Sequence, residues 1–232
     1  GGQNAAVFQG VPAGSGIPVV RRVGLFEGKD EFGRLQPLLG TVGPANINYP
    51  ATAVYSDAGL VGPINGSVAW HTPTTENPAL DTTEEWEIWN LTGDAHPVHL
   101  HLVHFEVLGR REIKWDSATN NGEEPVIVSG TQTGDGTYLL EQPTVQHNSV
   151  AGDLSTYGVG FKVVSPTQGP VVTGLSAAYV ENAPKDMVTA LPGQVTRIRA
   201  HFDKPGRYVW HCHILSHEDH EMMRVLHVGP GA

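Results

Sequence analysis

Eight of the twelve histidines in this 232-residue sequence fall into two tight groups. His96, His99, His101 and His104 form one; His211, His213, His217 and His220 surround Cys212, the single cysteine, in the other. Imidazole nitrogen and thiolate sulfur are donors for transition metals. Successive side chains of a strand point to opposite faces, so residues two apart share a face. His211 and His213 therefore face one way and Cys212 the other. His99 and His101 share a face, while His96, three residues earlier across Pro97, falls on the opposite one in an extended chain. Two separate sites follow. One collects His96 and Cys212 and receives His217 and Met222 from the turn after the strand; the other collects His99, His101, His211 and His213. Two imidazoles and a thiolate with a thioether nearby are the ligand set of a blue-copper electron-transfer centre. The all-imidazole set suits copper, zinc, iron or nickel, and by ligand type alone zinc could occupy either site. The pairing argues against zinc. A structural zinc gains nothing from an imidazole cluster one peptide unit from its thiolate, whereas an electron relay does. A bound metal would hold Cys212 as thiolate.

Strands are the elements that must carry these donors. Gly (28) and Pro (17) are plentiful, and long segments with helical apolar spacing are absent, which points to an all-β chain of short strands and turns. Residues 1–17 are rich in Gly, Ala and Pro and read as a linker tail from a preceding domain, so structure is expected from Pro18 to the end at residue 232. Val19 to Leu25 reads as the first strand, followed by a Gly28 to Gly33 turn. Glu85-Trp86-Glu87-Ile88-Trp89 alternates as a half-buried strand does. Pro97 to Leu108 reads as one long apolar strand. Val195 to Phe202 alternates cleanly, with Ile198, Ala200 and Phe202 on one face and Arg197, Arg199 and His201 on the other. Gly206 to Cys212 reads as the last strong strand before a short helical turn. The segments 40–67 and 115–183 read as insertions, with weak strand signals at Val126 to Val128 and Gly160 to Val164.

The formal net charge of -10 leaves no basic surface for phosphate backbones or anionic lipids, so nucleic acid is not an expected partner. No stretch approaches the roughly 18 to 20 apolar residues of a membrane helix, and no membrane partner is expected. Gly1 opens the chain without a charged-then-apolar leader, so a missing or processed start is expected. One cysteine cannot form an internal disulfide and says nothing about redox compartment.

The segments His96-Pro97-Val98-His99-Leu100-His101 and His211-Cys212-His213-Ile214-Leu215-Ser216-His217, followed by Met222, resemble the third and fourth copper motifs of multicopper oxidases. The similarity runs roughly from Arg21 to Val228. It includes Glu31-Phe32-Gly33-Arg34, the Trp86 to Asn90 strand, Lys185-Asp186 and Gly206-Arg207-Tyr208-Val209-Trp210, and looks closest to spore-coat laccases, bilirubin oxidases and phenoxazinone synthases. The resemblance implies that residues 18–232 are a C-terminal cupredoxin domain, a cupredoxin-like Greek-key β-sandwich or barrel with long insertions. It implies that His96, Cys212 and His217 bind type 1 copper, with Met222 as the weak axial ligand. It further implies that His99 binds type 2 copper and that His101, His211 and His213 bind the type 3 pair. Glu218 matches an acid that relays protons to dioxygen in the spore-coat enzymes, so the catalytic residues implied are Glu218, Cys212 and His217. Ser216 stands where several relatives carry Glu. His104, His220 and His227 match no copper ligand and are expected at the surface or around the ligands. Met223 is expected in the core, and His71 and His147 in solvent.

The family's first two motifs, His-x-His pairs of an N-terminal cupredoxin domain, supply the other half of the trinuclear histidines, and this sequence has neither. By this reading the chain is a fragment, a cleaved product or one part of an assembly. The activity implied is one-electron oxidation of phenolic, aromatic amine or pigment substrates, with reduction of dioxygen to water. The implied partners are dioxygen, a small aromatic reductant and N-terminal cupredoxin domains of the same protein or another chain. The implied location is extracellular, periplasmic or spore coat. With Met187, Met222 and Met223 as its methionines, the chain lacks the Met-rich insert of a cuprous oxidase. The rival reading, a blue-copper electron-transfer protein without oxidase activity, leaves His99 and His101 without a use. A cupredoxin without copper is at odds with four intact type 1 ligands.

Overall fold

Short alternating runs broken by Gly and Pro can bury one face only as strands stacked in sheets, and the chain forms thirteen described strands and one short helix. The computed structural model describes residues 19–29, 35–46, 63–68, 70, 74–114, 126–128, 161–163, 167–171 and 183–229. The tail 1–17, the Glu31 to Arg34 motif, His71, His147 and most of 115–183 lie outside the described residues.

The larger sheet has seven strands in the order β3-β2-β1-β4-β11-β6-β9. These are β1 (Val19–Lys29), β2 (Leu35–Asn46), β3 (Pro63–Val68), β4 (Thr82–Asn90), β6 (Phe105–Lys114), β9 (Thr167–Val171) and β11 (Gln194–Phe202). The second sheet has the order β10-β5-β12-β13, built from β5 (His96–Leu100), β10 (Met187–Ala190), β12 (Gly206–Cys212) and β13 (Met223–Val228). Two further strands, β7 (Val126–Val128) and β8 (Phe161–Val163), pair with each other. Strands β2 and β3 thus hold both ends of the 40–67 segment, and β7, β8 and β9 stand within 115–183. The helix α1 (Leu215–Asp219) is a single turn between β12 and β13.

Inward residues of the two sheets make one core. Val23, Leu25, Trp86, Ile88, Ile198 and Phe202 come from the first, and Val98, Leu100, Trp210, Cys212, Leu226 and Val228 from the second. Trp86 and Trp210 bridge the layers edge to face at 5.7 Å, an arrangement that suits the aromatic quadrupole. The sandwich is all-β and cupredoxin-like. Close strand approach demands a glycine at Gly40, where an added Cβ would lie 2.0 Å from the carbonyl oxygen of Gly66.

Two expectations are corrected. Pro97 to Leu108 is not one strand: β5 and β6 belong to different sheets, and the chain crosses between them where Leu102 adopts φ 80. An apolar run carries no mark of that break, because Val98 and Leu100 before it and Val103 and Phe105 after it are all buried. Nor is β4 half-buried, for every residue from Thr83 to Asn90 is buried. Its Glu85 is covered by Arg199 at 2.6 Å and by Arg197, and Glu87 by Arg22 at 3.1 Å. On the other face Arg21 pairs with Glu84 at 2.7 Å and lies over the Trp86 ring. Arginine stems cover apolar surface while their heads pair the carboxylates. The alternation read in β11 holds, with Ile198, Ala200 and Phe202 fully buried and Arg197, Arg199 and His201 partly exposed.

Candidate metal centre

Strand pleat sorts the donors. In β5, His96, Val98 and Leu100 are buried while Pro97 and His99 are less so. In β12, Trp210 and Cys212 enter the core. The two strands pair antiparallel with Cys212 opposite Val98 and His211 opposite His99. Cys212 is thereby carried inward beside the start of β5, and the two histidines meet on the outer face.

On the inner side, Cys212 Sγ lies 3.6 Å from His96 Nδ1 and 3.9 Å from His217 Nδ1, and the two Nδ1 atoms are 3.4 Å apart. His217 arrives on α1. Glu221, at φ 74, then turns the chain back, so that Met222 donates its N–H to the His217 carbonyl at 2.9 Å and accepts from Cys212 N–H at 3.0 Å. His96, Cys212 and Met222 are fully buried, and His217 is partly exposed. His96 Nε2 meets Thr92 Oγ1 at 2.8 Å. Since the Thr92 hydroxyl donates to Asn90 Oδ1 at 2.8 Å, it accepts from Nε2–H, which fixes the tautomer and leaves the Nδ1 lone pair for a metal. A triangle of donors with edges of 3.4 to 3.9 Å fits one ion at bond lengths of roughly 2.0 to 2.3 Å. Burial pushes the Cys212 thiol up to about 11, with a backbone N–H at Ile214 acting in the opposite direction. Burial, and then the neighbouring His96, lower the pKa of His217. The site therefore favours neutral ligands until a cation takes the place of the thiol proton.

On the outer side, His99, His101 and His211 bring one nitrogen each within 4.8 Å of one another, and His101 Nε2 lies 3.1 Å from His211 Nε2. The His213 ring stands 5.6 Å from that of His99 and 5.4 Å from that of His211. Burial and then the adjacent imidazoles lower the pKa of His99 and His101. His99 Nδ1 is enclosed without a hydrogen bond. Crowded imidazoles are a donor set for a transition metal. Glu218 Oε2 lies 3.3 Å from His211 Nδ1, which also approaches the Cys212 carbonyl at 3.0 Å.

The structure thus brings together His96, Cys212 and His217, with Met222 joined to two of them through its backbone. It also brings together His99, His101 and His211, with His213 alongside and Glu218 at the edge. Ser216, His104 and His220 are exposed, and His227 is buried on β13, where its N–H bonds the Glu76 carbonyl. Met223, expected in the core, is partly exposed and lines an open pocket of about 840 Å³ with Trp70, Leu215 and Glu221. Sequence reading missed Thr92 and Asn90, four and six residues before His96, and Glu27, whose Oε1 is 3.3 Å from His96 Nε2. A Thr a few residues before a candidate ligand histidine is a weak signal, and Glu27 left none.

The family profile described as multicopper oxidase matches residues 42–140 and 158–232. The chain belongs to the multicopper oxidase family. This multicopper oxidase chain is 37% identical over 160 residues to the laccase of Bacillus subtilis (strain 168), covering 68% of this chain and 23% of that protein. It is 34% identical over 160 residues to the laccase of Bacillus stratosphericus, with the same two coverages. A solved structure, the multicopper oxidase from Campylobacter jejuni described as a metallo-oxidase, aligns with a TM-score of 0.45 at 15% identity, over 94% of this chain and 32% of that one. The multicopper oxidase chain spans about a quarter of the length of the curated relatives it matches. Among the described residues, no helix is long and apolar enough to cross a membrane.

Proposed function

We propose that this chain is the C-terminal part of a laccase-like oxidase, with His96, Cys212, His217 and Met222 as the type 1 copper ligands. His99 is its share of the type 2 site, and His101, His211 and His213 are its share of the type 3 pair. Copper bound there would take single electrons from a phenol, aromatic amine or pigment and reduce dioxygen to water with four electrons and four protons.

The observation that carries this reading is the division of two adjacent residues between two donor sets. Cys212 belongs to the inner triangle and His211 to the outer cluster, so one peptide unit joins them. Partial exposure of His217 beside fully buried His96 and Cys212 makes its ring the edge at which an electron enters. The pocket over α1, lined by Trp70, Leu215 and Met223, offers an aromatic and apolar wall for a small aromatic reductant. Glu218, partly exposed and 3.3 Å from His211 Nδ1, would relay protons toward the cluster from its edge. An N-terminal cupredoxin domain would complete the outer cluster. A pure electron carrier would have no use for four converging imidazoles.

The test is Cys212→Ser in the copper-loaded protein. Loss of the intense visible thiolate-to-copper band and of oxidase turnover, with the fold retained by circular dichroism, is expected. A native protein that binds copper without that band would refute the reading.

A further inference from the structure

Glu27 extends from the end of β1 toward the start of β5. Its side chain is 12% exposed, and its Oε1 stands 3.3 Å from His96 Nε2. That oxygen is enclosed and receives no hydrogen bond in good geometry. An enclosed carboxylate oxygen without a donor is costly, and an imidazole that gives Nδ1 to a metal keeps its hydrogen on Nε2. The same Nε2–H faces Thr92 at 2.8 Å, so two acceptors compete for it, one neutral and one an acid.

We propose that Glu27 is a positioning residue for type 1 copper, which orients His96 through Nε2–H and lowers the reduction potential of the site. The inference rests on the reading of His96, Cys212 and His217 as copper ligands. Copper(II) with one thiolate carries a net positive charge, in a place where His96 and Cys212 are fully buried. An ionised Glu27 cancels that charge. Copper(I) with the same thiolate is already neutral, so the carboxylate then adds an uncompensated negative charge. In a poorly screened interior the difference favours the oxidised metal. A carboxylate accepting Nε2–H also strengthens Nδ1 as a donor, which acts in the same direction.

The experiment is spectroelectrochemical titration of the visible band in the copper-loaded full-length protein and its variants, with thermal melting alongside. Glu27→Gln, which keeps shape and removes charge, is expected to retain the band and weaken copper(II) relative to copper(I) by about tenfold, a potential rise of about 59 mV. Thr92→Val leaves Glu27 as acceptor and is expected to shift the potential less. A retained band with an unmoved potential in Glu27→Gln, or a larger shift in Thr92→Val, overturns the inference while the ligand assignment stands. Absence of the band from the native protein overturns both. Should Glu27→Gln not fold, Glu27→Asp decides, since it withdraws the carboxylate by one methylene: a raised potential supports the role, and an unmoved one overturns it.

Discussion

Copper binding at Cys212 is expected to expel one proton, so that affinity climbs about tenfold per pH unit through the neutral and mildly alkaline range. Burial pushes this thiol up to about 11, so at pH 7 it is protonated, and ionising it costs roughly 5 kcal/mol at about 1.4 kcal/mol per unit. The metal–thiolate bond must offset that cost. His217 acts against any further proton release, because burial and then His96 lower its pKa. Anaerobic titration with copper(I) in lightly buffered solution with an indicator dye reads proton release and affinity together. The native protein is expected to release about one proton more than Cys212→Ser. Affinity independent of pH between neutrality and pH 9 would mean that the thiol is already ionised in the apo-protein, and that the reasoning from burial is wrong. The same shift bears on stability. A thiol raised from 9.0 to about 11 keeps its proton in the fold at pH values where the unfolded chain has lost it. The resulting stability, about 3 kcal/mol for such a shift, is fully present below pH 9 and disappears as pH rises to about 11. Urea melts of the apo-protein and of Cys212→Ser should diverge in that window.

Met222→Leu is expected to keep the visible band and raise the type 1 potential by removing a donor that favours copper(II); an unchanged potential in redox titration would remove Met222 from the axial position. Glu76→Gln strips the charge from a pair in which Arg224 Nε meets Glu76 Oε2 at 2.8 Å with both side chains 1% exposed. Urea unfolding should show a loss of about 3 to 5 kcal/mol, and a loss under about 1 kcal/mol would show that neighbouring groups such as Thr75 satisfy Arg224. The chain alone, copper-loaded, should bleach with a reductant and reoxidise slowly in air, and turnover in an oxygen electrode should appear only with an N-terminal cupredoxin domain added. Laccase-like oxygen consumption by the chain alone would require further ligands, with His104 and His220 as candidates.

Local pattern made much of this molecule legible. The period of two in β11 predicts its faces because one side meets an apolar core and the other meets water and ion pairs. The grouping of donors is legible for the same reason: His96 and His99 lie on β5 and His211 and Cys212 on β12, where the pleat alone assigns the side. What was illegible depends on residues far apart in the chain. Glu85 and Glu87 look solvent-facing until Arg197, Arg199 and Arg22 are brought across them from neighbouring strands. Leu102 offers no sign that the chain changes sheets there, since a left-handed residue at that point is set by where β5 and β6 must go. Glu27 reaches His96 only because β1 lies parallel to β4, with Leu25 opposite Asn90, which carries the next residues of both strands toward the start of β5.

The antiparallel pairing of β5 with β12 makes both sites depend on one register. β5 and β12 each contribute an inward donor, His96 and Cys212, and an outward one, His99 and His211. Slipping either strand by one residue would exchange its faces, and both donor sets would be lost together. The register must therefore be held by contacts other than those of the donor side chains. His213 N–H to the Pro97 carbonyl at 2.7 Å and Cys212 N–H to the Met222 carbonyl at 3.0 Å pin the end of β12. Phe105 and Lys185 exchange backbone hydrogen bonds at 2.7 and 3.1 Å beyond the end of β5. Trp210 wedged against Trp86 locks the same strand to the opposite sheet, two residues from Cys212. The hydrophobic core thus fixes which face each donor takes, and a covalent path between the two donor sets follows from adjacency in the sequence.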